Sequence, residues 1–456
     1  MRRQALHERV GQAIEELYAD RREEHYESLA HHYQRADNRE KAIRYLELAG
    51  DKAKRQYVLE QTVKNYRQAI ALLHDLDKTA ERMRHHIDIA IKWADLIVPS
   101  AELIDALRIA KTFAEQLGDD GRLAKSANFL GQTLYWVGDY ERAMPELQRV
   151  IAMSDALDDQ DRVGSSYRVL GHVYLSVSRP AEGLECLEKA RPIVRRTQNR
   201  FEESAAVGLI AVEYGLRGRF EESRALLDEA VRIARAGGER SAEAWECYWR
   251  SVGLSAKGDW EETIATCDEA IELGRRIENV WAVAWAAISK GYAAFMAGNQ
   301  QAGLALTGAA VQQVERSGAL LNIAFAFGWL AEMLCLAGQE DEAAAYAEKA
   351  VAHLPMGAWI AGETRAYRAR AMASASRGDW ESVDSDMQKS LVNAKTLEYR
   401  PDLGVGHFRY AELLRDKGEP ERAREQLDQA VKLFAALNMT WWMEQASGLR
   451  ARLSVG

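Results

Sequence analysis

Cysteine and proline are both scarce, at 4 and 7 of 456 residues. Cys186, Cys247, Cys267 and Cys335 are scattered without metal-ligand spacing, which excludes a zinc ribbon or a disulfide framework and suits a reducing, cytoplasmic compartment. So few prolines, with no Ser- or Gly-rich stretch, leave no room for a flexible linker. Positive charge is also in deficit: 60 Lys and Arg against 69 Asp and Glu give a net −9, which argues against nucleic-acid backbone as the main partner. Long apolar runs are nearly absent. The chain opens Met1-Arg2-Arg3-Gln4 into a charged helix rather than an apolar signal core. Ala319 to Gly338 is long enough for a membrane span, but it carries Asn322 and Glu332. It is read as a helix of a soluble fold, with no membrane partner.

Chemistry-bearing motifs are missing as well. Gly253 and Gly258 have the outer spacing of a phosphate loop, but Asp259-Trp260 stands where Lys and Ser/Thr would hold phosphate and magnesium. Gly404-Val405-Gly406 lacks a third glycine. His25 and His32, seven apart, would share a helix face, but two further ligands at metal spacing are lacking. Asp119-Asp120 and Asp158-Asp159-Gln160-Asp161 read as turn and capping acids. The expectation is a non-enzyme with no catalytic residue, cofactor or metal.

What the chain does have is a period. Gly138, Gly218, Gly258, Gly298, Gly338, Gly378 and Gly418 recur at 40-residue spacing, with Ser178 the one departure over eight units. Seven residues before each stands a small residue: Gly131, Gly171, Ala211, Ser251, Gly291, Ala331, Ala371 and Ala411. Twelve after come Val150, Ala190, Ala230, Ala270, Ala310, Ala350, Ser390 and Ala430. Apolar residues between them keep helical spacing, as in Leu130, Leu134, Val137, Ala143, Leu147 and Ile151. An aromatic follows the turn at Tyr140, Phe220, Trp260 and Trp380. The glycine ends one helix in the left-handed conformation, and Asp139, Asp259 and Asp379 suit the N-cap of the next. Small residues where helices cross, at a fixed long period, predict stacked helix pairs that bury each other's apolar faces.

This grammar resembles the tetratricopeptide repeat (TPR), in a 40-residue form without the usual closing proline. The resemblance implies an all-α fold, a right-handed α-solenoid superhelix of antiparallel helix pairs, over roughly residues 60 to 456. Degenerate turns at Val98-Pro99-Ser100-Ala101 and Val58 to Val63 extend it backward, and Asp37-Asn38-Arg39-Glu40 is a further, irregular turn. The segment Leu6 to Leu76, with His25-Tyr26-Glu27-Ser28-Leu29-Ala30-His31-His32-Tyr33, resembles the junction after the nucleotide-binding module of bacterial multidomain signalling ATPases and adenylate or guanylate cyclases. The expected division is 1–76 for this junction and 77–456 for a solenoid of about nine helix pairs.

In the resembled family the first helix of each unit lines a concave groove that binds partners. The corresponding slots are polar early and late: Lys125, Asn128, Gln132, Tyr135, Arg168 and His172, then Arg365, Arg368, Glu412 and Arg415. In the centre they hold Trp245, Tyr248, Val252, Trp285, Ile288, Tyr292, Phe295 and Phe325, with Trp249 and Trp329 one position off. The expected partner-binding set is Trp245, Tyr248, Trp285, Tyr292, Phe295 and Phe325, because aromatics give large contact at low entropic cost, with Arg168, Arg365 and Arg368 as anion clamps. The same stripe would also serve simply as core. The resemblance implies a scaffold or sensor that takes a protein or peptide in the groove and acts on a fused or separate ATPase or cyclase effector. The alternative is a small-molecule receptor domain, as in a maltose-regulator-like transcription activator or cyclase. Trp441-Trp442-Met443 gives the last helix apolar bulk, to cover the end of the core or to dock a second copy as a homodimer.

Overall fold

The computed structural model describes all residues except 1, 57, 97, 156, 158, 318–321, 358, 360 and 456. It is 86% helical, with no strand among the described residues. Contacts divide the chain into two compact units, Met1–Trp136 with Glu141–Arg162, and Val137–Tyr140 with Val163–Gly456.

The first unit holds α1 (Arg2–Leu17), a 3-10 turn (Ala19–His25), α2 (Tyr26–Arg35), α3 (Arg39–Arg55), α4 (Leu59–His74), α5 (Ala80–Ala94), α6 (Ala101–Leu117), α7 (Asp120–Trp136) and nearly all of α8 (Tyr140–Ala152). Its N-terminal helices meet around Glu15, whose carboxylate accepts from Tyr33 Oη at 2.7 Å, Lys41 Nζ at 2.7 Å and Tyr45 Oη at 2.5 Å. Those donors outweigh burial and hold the Glu15 carboxyl below its usual range.

The second unit is an α-solenoid. Its inner helices are α9 (Gln160–Ser176), α11 (Arg200–Leu216), α13 (Arg240–Lys257), α15 (Val280–Met296), α17 (Ile323–Leu336), α19 (Gly362–Ser376), α21 (Arg400–Lys417) and α23 (Thr440–Val455). They alternate with α10 (Pro180–Arg196), α12 (Phe220–Gly237), α14 (Trp260–Arg276), α16 (Gln300–Ser317), α18 (Glu340–Ala352), α20 (Trp380–Thr396) and α22 (Pro420–Ala436). The central inner helices are buried nearly all round, and α17 has no described face open to solvent before its last turn.

Each repeated turn is left-handed, from φ +72° at Gly378 to +104° at Gly298, and Ser178 adopts it too, at +59°. The small-residue slots mark close helix crossings: a Cβ on Gly291 would lie 2.2 Å from Thr307 Oγ1 and 2.8 Å from the Gly303 carbonyl. A second left-handed series lies midway between these turns. Gly118, Gln198, Gly238, Glu278, Glu398 and Asn438 have φ between +52° and +71°, again 40 apart; positions 158, 318 and 358 of this series are outside the described residues. The residue after several of them caps the next inner helix: Asn199 Oδ1 accepts from Glu202 N and Asn279 Oδ1 from Ala282 N, both at 3.1 Å. Of the turn aspartates, Asp379 caps through Ser382 N at 3.2 Å, whereas Asp259 makes no cap bond and pairs with Lys257 at 3.0 Å. Asp119 and Asp159 do cap, through the amides of Arg122 and Arg162; Asp158 lies outside the described residues. The apolar stretch expected from Ala319 is helical from Ile323, residues 319–321 being outside the described set, and no described helix is long and apolar enough to cross a membrane.

Candidate functional site

The inner helices of the second unit place aromatic side chains in a continuous run. Trp245 stacks on Trp249 with ring centres 5.9 Å apart, and Tyr248 lies between Trp249 (4.6 Å) and Trp285 (6.4 Å). Trp285 stacks on Phe325 at 5.4 Å, Phe325 meets Trp329 edge-on at 5.2 Å, and Trp329 lies flat on Tyr292 at 4.3 Å. Tyr292 then meets Trp260, which packs against Trp441 and Trp442. Tyr248, Trp285, Tyr292 and Phe325 are buried, whereas Trp245, Trp249 and Trp441 are half-exposed. Burial lifts the Tyr292 and Tyr248 hydroxyls far above their usual range.

A buried ionic network continues this run. Arg365 grips Asp402 with two parallel bonds, Nε to Oδ1 and Nη2 to Oδ2, each 3.0 Å. Arg368 bridges Asp402 (3.3 Å) and Glu332 (3.2 Å), and Arg409 reaches Glu332 at 3.0 Å and Glu412 at 2.7 Å. The Arg365 guanidinium also sits over the Trp329 ring, 4.8 Å from its centre. Burial alone would raise the Glu332 and Asp402 carboxyls, but the facing arginines outweigh it and hold both below their usual values. Beside this network is a cavity of about 10 Å3, room for one water molecule. Its lining includes Ser255, Trp260, Arg365, Arg368, Asp402 and Trp442.

The inner face is closed by contacts between residues far apart in sequence. Trp359, fully buried between α18 and α19, lies edge-on to His172 at 4.7 Å and against Trp249 at 5.4 Å. Its indole donates to Glu213 Oε2 at 3.3 Å, and that oxygen also accepts from Tyr399 Oη at 3.1 Å. Arg217 joins Glu213 at 3.0 Å to Glu398 at 2.7 Å. Burial pushes the Glu213 carboxyl up against the pull of these donors, and burial beside Arg168 drives the His172 pKa well down. Leu437 packs over Gly218 and Trp442 over Gly258. Thus α11 and α13 are met by the last helices of the same unit.

A tetratricopeptide-repeat model matches residues 123–154, which span the α7–α8 pair. A chain of the APC/C hetero-tetramer Cut9-Hcn1 superposes with a TM-score of 0.51 at 11% identity, over 91% of this chain and 76% of that one. The fold is that of a tetratricopeptide-repeat protein. Two further solved structures align less closely. The Rap protein complexed with competence and sporulation factor gives a TM-score of 0.44 at 13% identity, covering 87% of this chain and 98% of that one. A signal transduction ATPase with numerous domains that carries a tetratricopeptide repeat sensor, from Pyrococcus horikoshii, gives 0.43 at 16%, over 80% of this chain and 55% of that one. No curated protein sequence matches significantly.

On this TPR scaffold the residues expected in the groove separate into three groups. Trp245, Tyr248, Trp285, Tyr292 and Phe325 share the inner run; Arg365 adjoins it through Trp329, and Arg368 shares Asp402 with Arg365. Arg168 stands apart on α9, half-buried and paired with Glu202. Phe295 is turned to its own repeat, where its backbone and Cβ crowd Gly303 of α16. His25 and His32 are not brought together: His25 packs on Tyr18 and His32 on His7. Among the described residues, no group of three or more His, Cys, Asp or Glu is placed to hold a metal. Trp442 is buried against Phe434 and Phe408 within the chain, so the apolar bulk of α23 covers the core. Sequence reasoning missed Trp359, Glu213, Asp402 and Arg409. The one available signal was charge within otherwise apolar inner helices, as at Glu332 and Glu246.

Proposed function

We propose that this TPR chain is a non-catalytic interaction scaffold that works as a sensor, taking a peptide or protein partner on the inner face of its second unit. The partner would meet Trp245, Tyr248, Trp285, Tyr292 and Phe325, with Arg168, Arg365 and Arg368 for its acidic groups. The supporting observation is that contacts between residues far apart in sequence, Trp359 with Trp249, Arg217 with Glu398 and Glu213 with Tyr399, form a short seam beside an aromatic run whose rings otherwise stack between neighbouring repeats. Such a seam opens at lower cost than unfolding a repeat. Trp245, Trp249 and Arg168 lie at its edge and remain partly accessible. A ligand that prefers the open form shifts the array toward it by its differential affinity. The junction-like residues 1–76 would carry that change to a bacterial ATPase or cyclase effector.

The test is selection of peptides on the intact chain from a displayed random library. Binders should weaken at least tenfold with Trp245→Ala and Arg168→Gln, and tighten with Trp359→Ala, which removes the seam. Peptides indifferent to all three substitutions would remove the inner face from consideration.

The small-molecule reading is favoured by a separate observation: a small cavity beside Arg368 is lined by charged side chains and aromatic rings together.

A further inference from the structure

The cavity beside the arginine network has an unusual lining. Arg365 Nη1, Arg368 Nε, Trp260 Nε1, Trp442 Nε1 and Ser255 Oγ are all buried and have no hydrogen-bond partner among the described residues. The five side chains are each between 1% and 5% exposed. A buried donor without an acceptor is costly, and five around one cavity exceed the few found in a well-packed interior. Four of the five can only donate; the Ser255 hydroxyl does either.

The acceptor that suits them can be deduced from charge and lone pairs. The buried members of the network, three arginines against Glu332 and Asp402, sum to one positive charge. Glu412, with its side chain about a quarter exposed, balances this from the rim. A carboxylate offers about four lone-pair sites, one fewer than the donors present, while a phosphoryl group offers more and matches the guanidinium forks. Asp402 also lines the cavity and would repel a fully ionised anion. Its oxygens accept three bonds, from Arg365 Nε and Nη2 and Arg368 Nη1, which leaves about one lone-pair site of roughly four. A phosphate that keeps a proton can donate it there; sulfate cannot.

We propose that this cavity is a phosphate site, taking inorganic phosphate or the phosphoryl end of a small ester. The present volume holds one water, so the site takes its ligand only when α23 shifts outward, with the Trp442 N–H still facing it from the rim. α23 packs on α22 and only lightly on α21, so its opening breaks fewer contacts than that of a central inner helix. Phosphate held between α13, α19 and α23 would tie the end of the solenoid to its middle. The inference rests on the inner face being a binding face, but not on its binding peptides.

The experiment titrates the full chain with sodium phosphate and with glycerol phosphate, following melting temperature and tryptophan emission. Sulfate, acetate and chloride at matched ionic strength are the controls. The expected result is a saturable rise with phosphate, at least tenfold tighter than with sulfate, and no saturable response to acetate. A tighter response to the ester than to inorganic phosphate would name the ester as the source; both support the site. Trp442→Phe keeps a ring but loses the N–H, and Ser255→Ala loses one hydroxyl; each should weaken phosphate at least fivefold. If Trp442→Phe fails to fold, Ser255→Ala alone decides. The proposal is overturned by equal response to all anions, by saturable binding of acetate instead, or by unchanged binding in the variants that fold. Peptides that bind the inner face without any phosphate effect would overturn this site alone and leave the interaction reading standing.

Discussion

Glu246 allows the sharpest test of how the inner helices are packed. It lies on α13, fully buried, and its Oε1 accepts a bond from Ser204 Oγ at 3.1 Å, while Oε2 has no partner among the described residues. Gly208 makes the space: a Cβ there would fall 1.9 Å from Oε2. Burial drives the Glu246 pKa up to about 8 from 4.5, against small opposing effects of the Ser204 bond and Arg168. Below about pH 4.5 both folded and unfolded chains hold the proton, so this residue adds no pH dependence. Between there and about pH 8 only the folded chain holds it, so stability falls as pH rises, by about 1.4 kcal/mol per unit. From pH 5 to pH 8 the loss is about 3–4 kcal/mol on this scale, an upper value because the interior relaxes around a charge. Glu246→Gln keeps the shape and removes the ionisation. Urea unfolding of both proteins at pH 5, 6, 7 and 8 should give curves that diverge with pH, the variant becoming relatively more stable. Parallel curves would refute the burial of this carboxyl.

Other consequences are simpler to check. Trp359→Ala should cost about 3–5 kcal/mol and shift tryptophan emission to the red as Trp249 gains water; an unchanged spectrum would contradict its place in the seam. Arg368→Met strands Glu332 and Asp402 each one donor short, and should lower stability by about 3–5 kcal/mol in denaturant titration. Gly291→Ala should cost about 1–3 kcal/mol, and Thr307→Ser should not restore it, because the Gly303 carbonyl remains 2.8 Å from the new methyl group.

The repeat was legible because its reasons are local. A left-handed turn needs glycine or a tolerant polar residue, and helices in contact need small side chains; both recur in sequence at a fixed spacing. The midway turns were not legible, since Gln198, Glu278 and Glu398 adopt the same conformation without a glycine to announce it. The candidate partner-binding residues all lie on inner helices, but periodicity carries no information on whether a solenoid closes on itself. Closure depends on pairs such as Glu213 with Tyr399, 186 residues apart. The same gap hid Trp260: it was legible as a turn aromatic, but its neighbour Trp442 arrives from the last helix. Phe295 differs from its slot-mates because Gly303 lets α16 approach its backbone and Cβ closely.

Locking the seam tests the central claim most directly. Arg217 and Glu398 form an ion pair at 2.7 Å across it, with Glu398 well exposed. Replacing both by cysteine, with Cys186 and Cys335 changed to serine, allows a short bis-maleimide to fix the closed form. Affinity for a library-selected peptide is then compared before and after cross-linking. The account predicts at least a tenfold loss on locking, with the melting temperature maintained or raised. Equal affinity in the locked and free chains would show that the inner face does not open to bind.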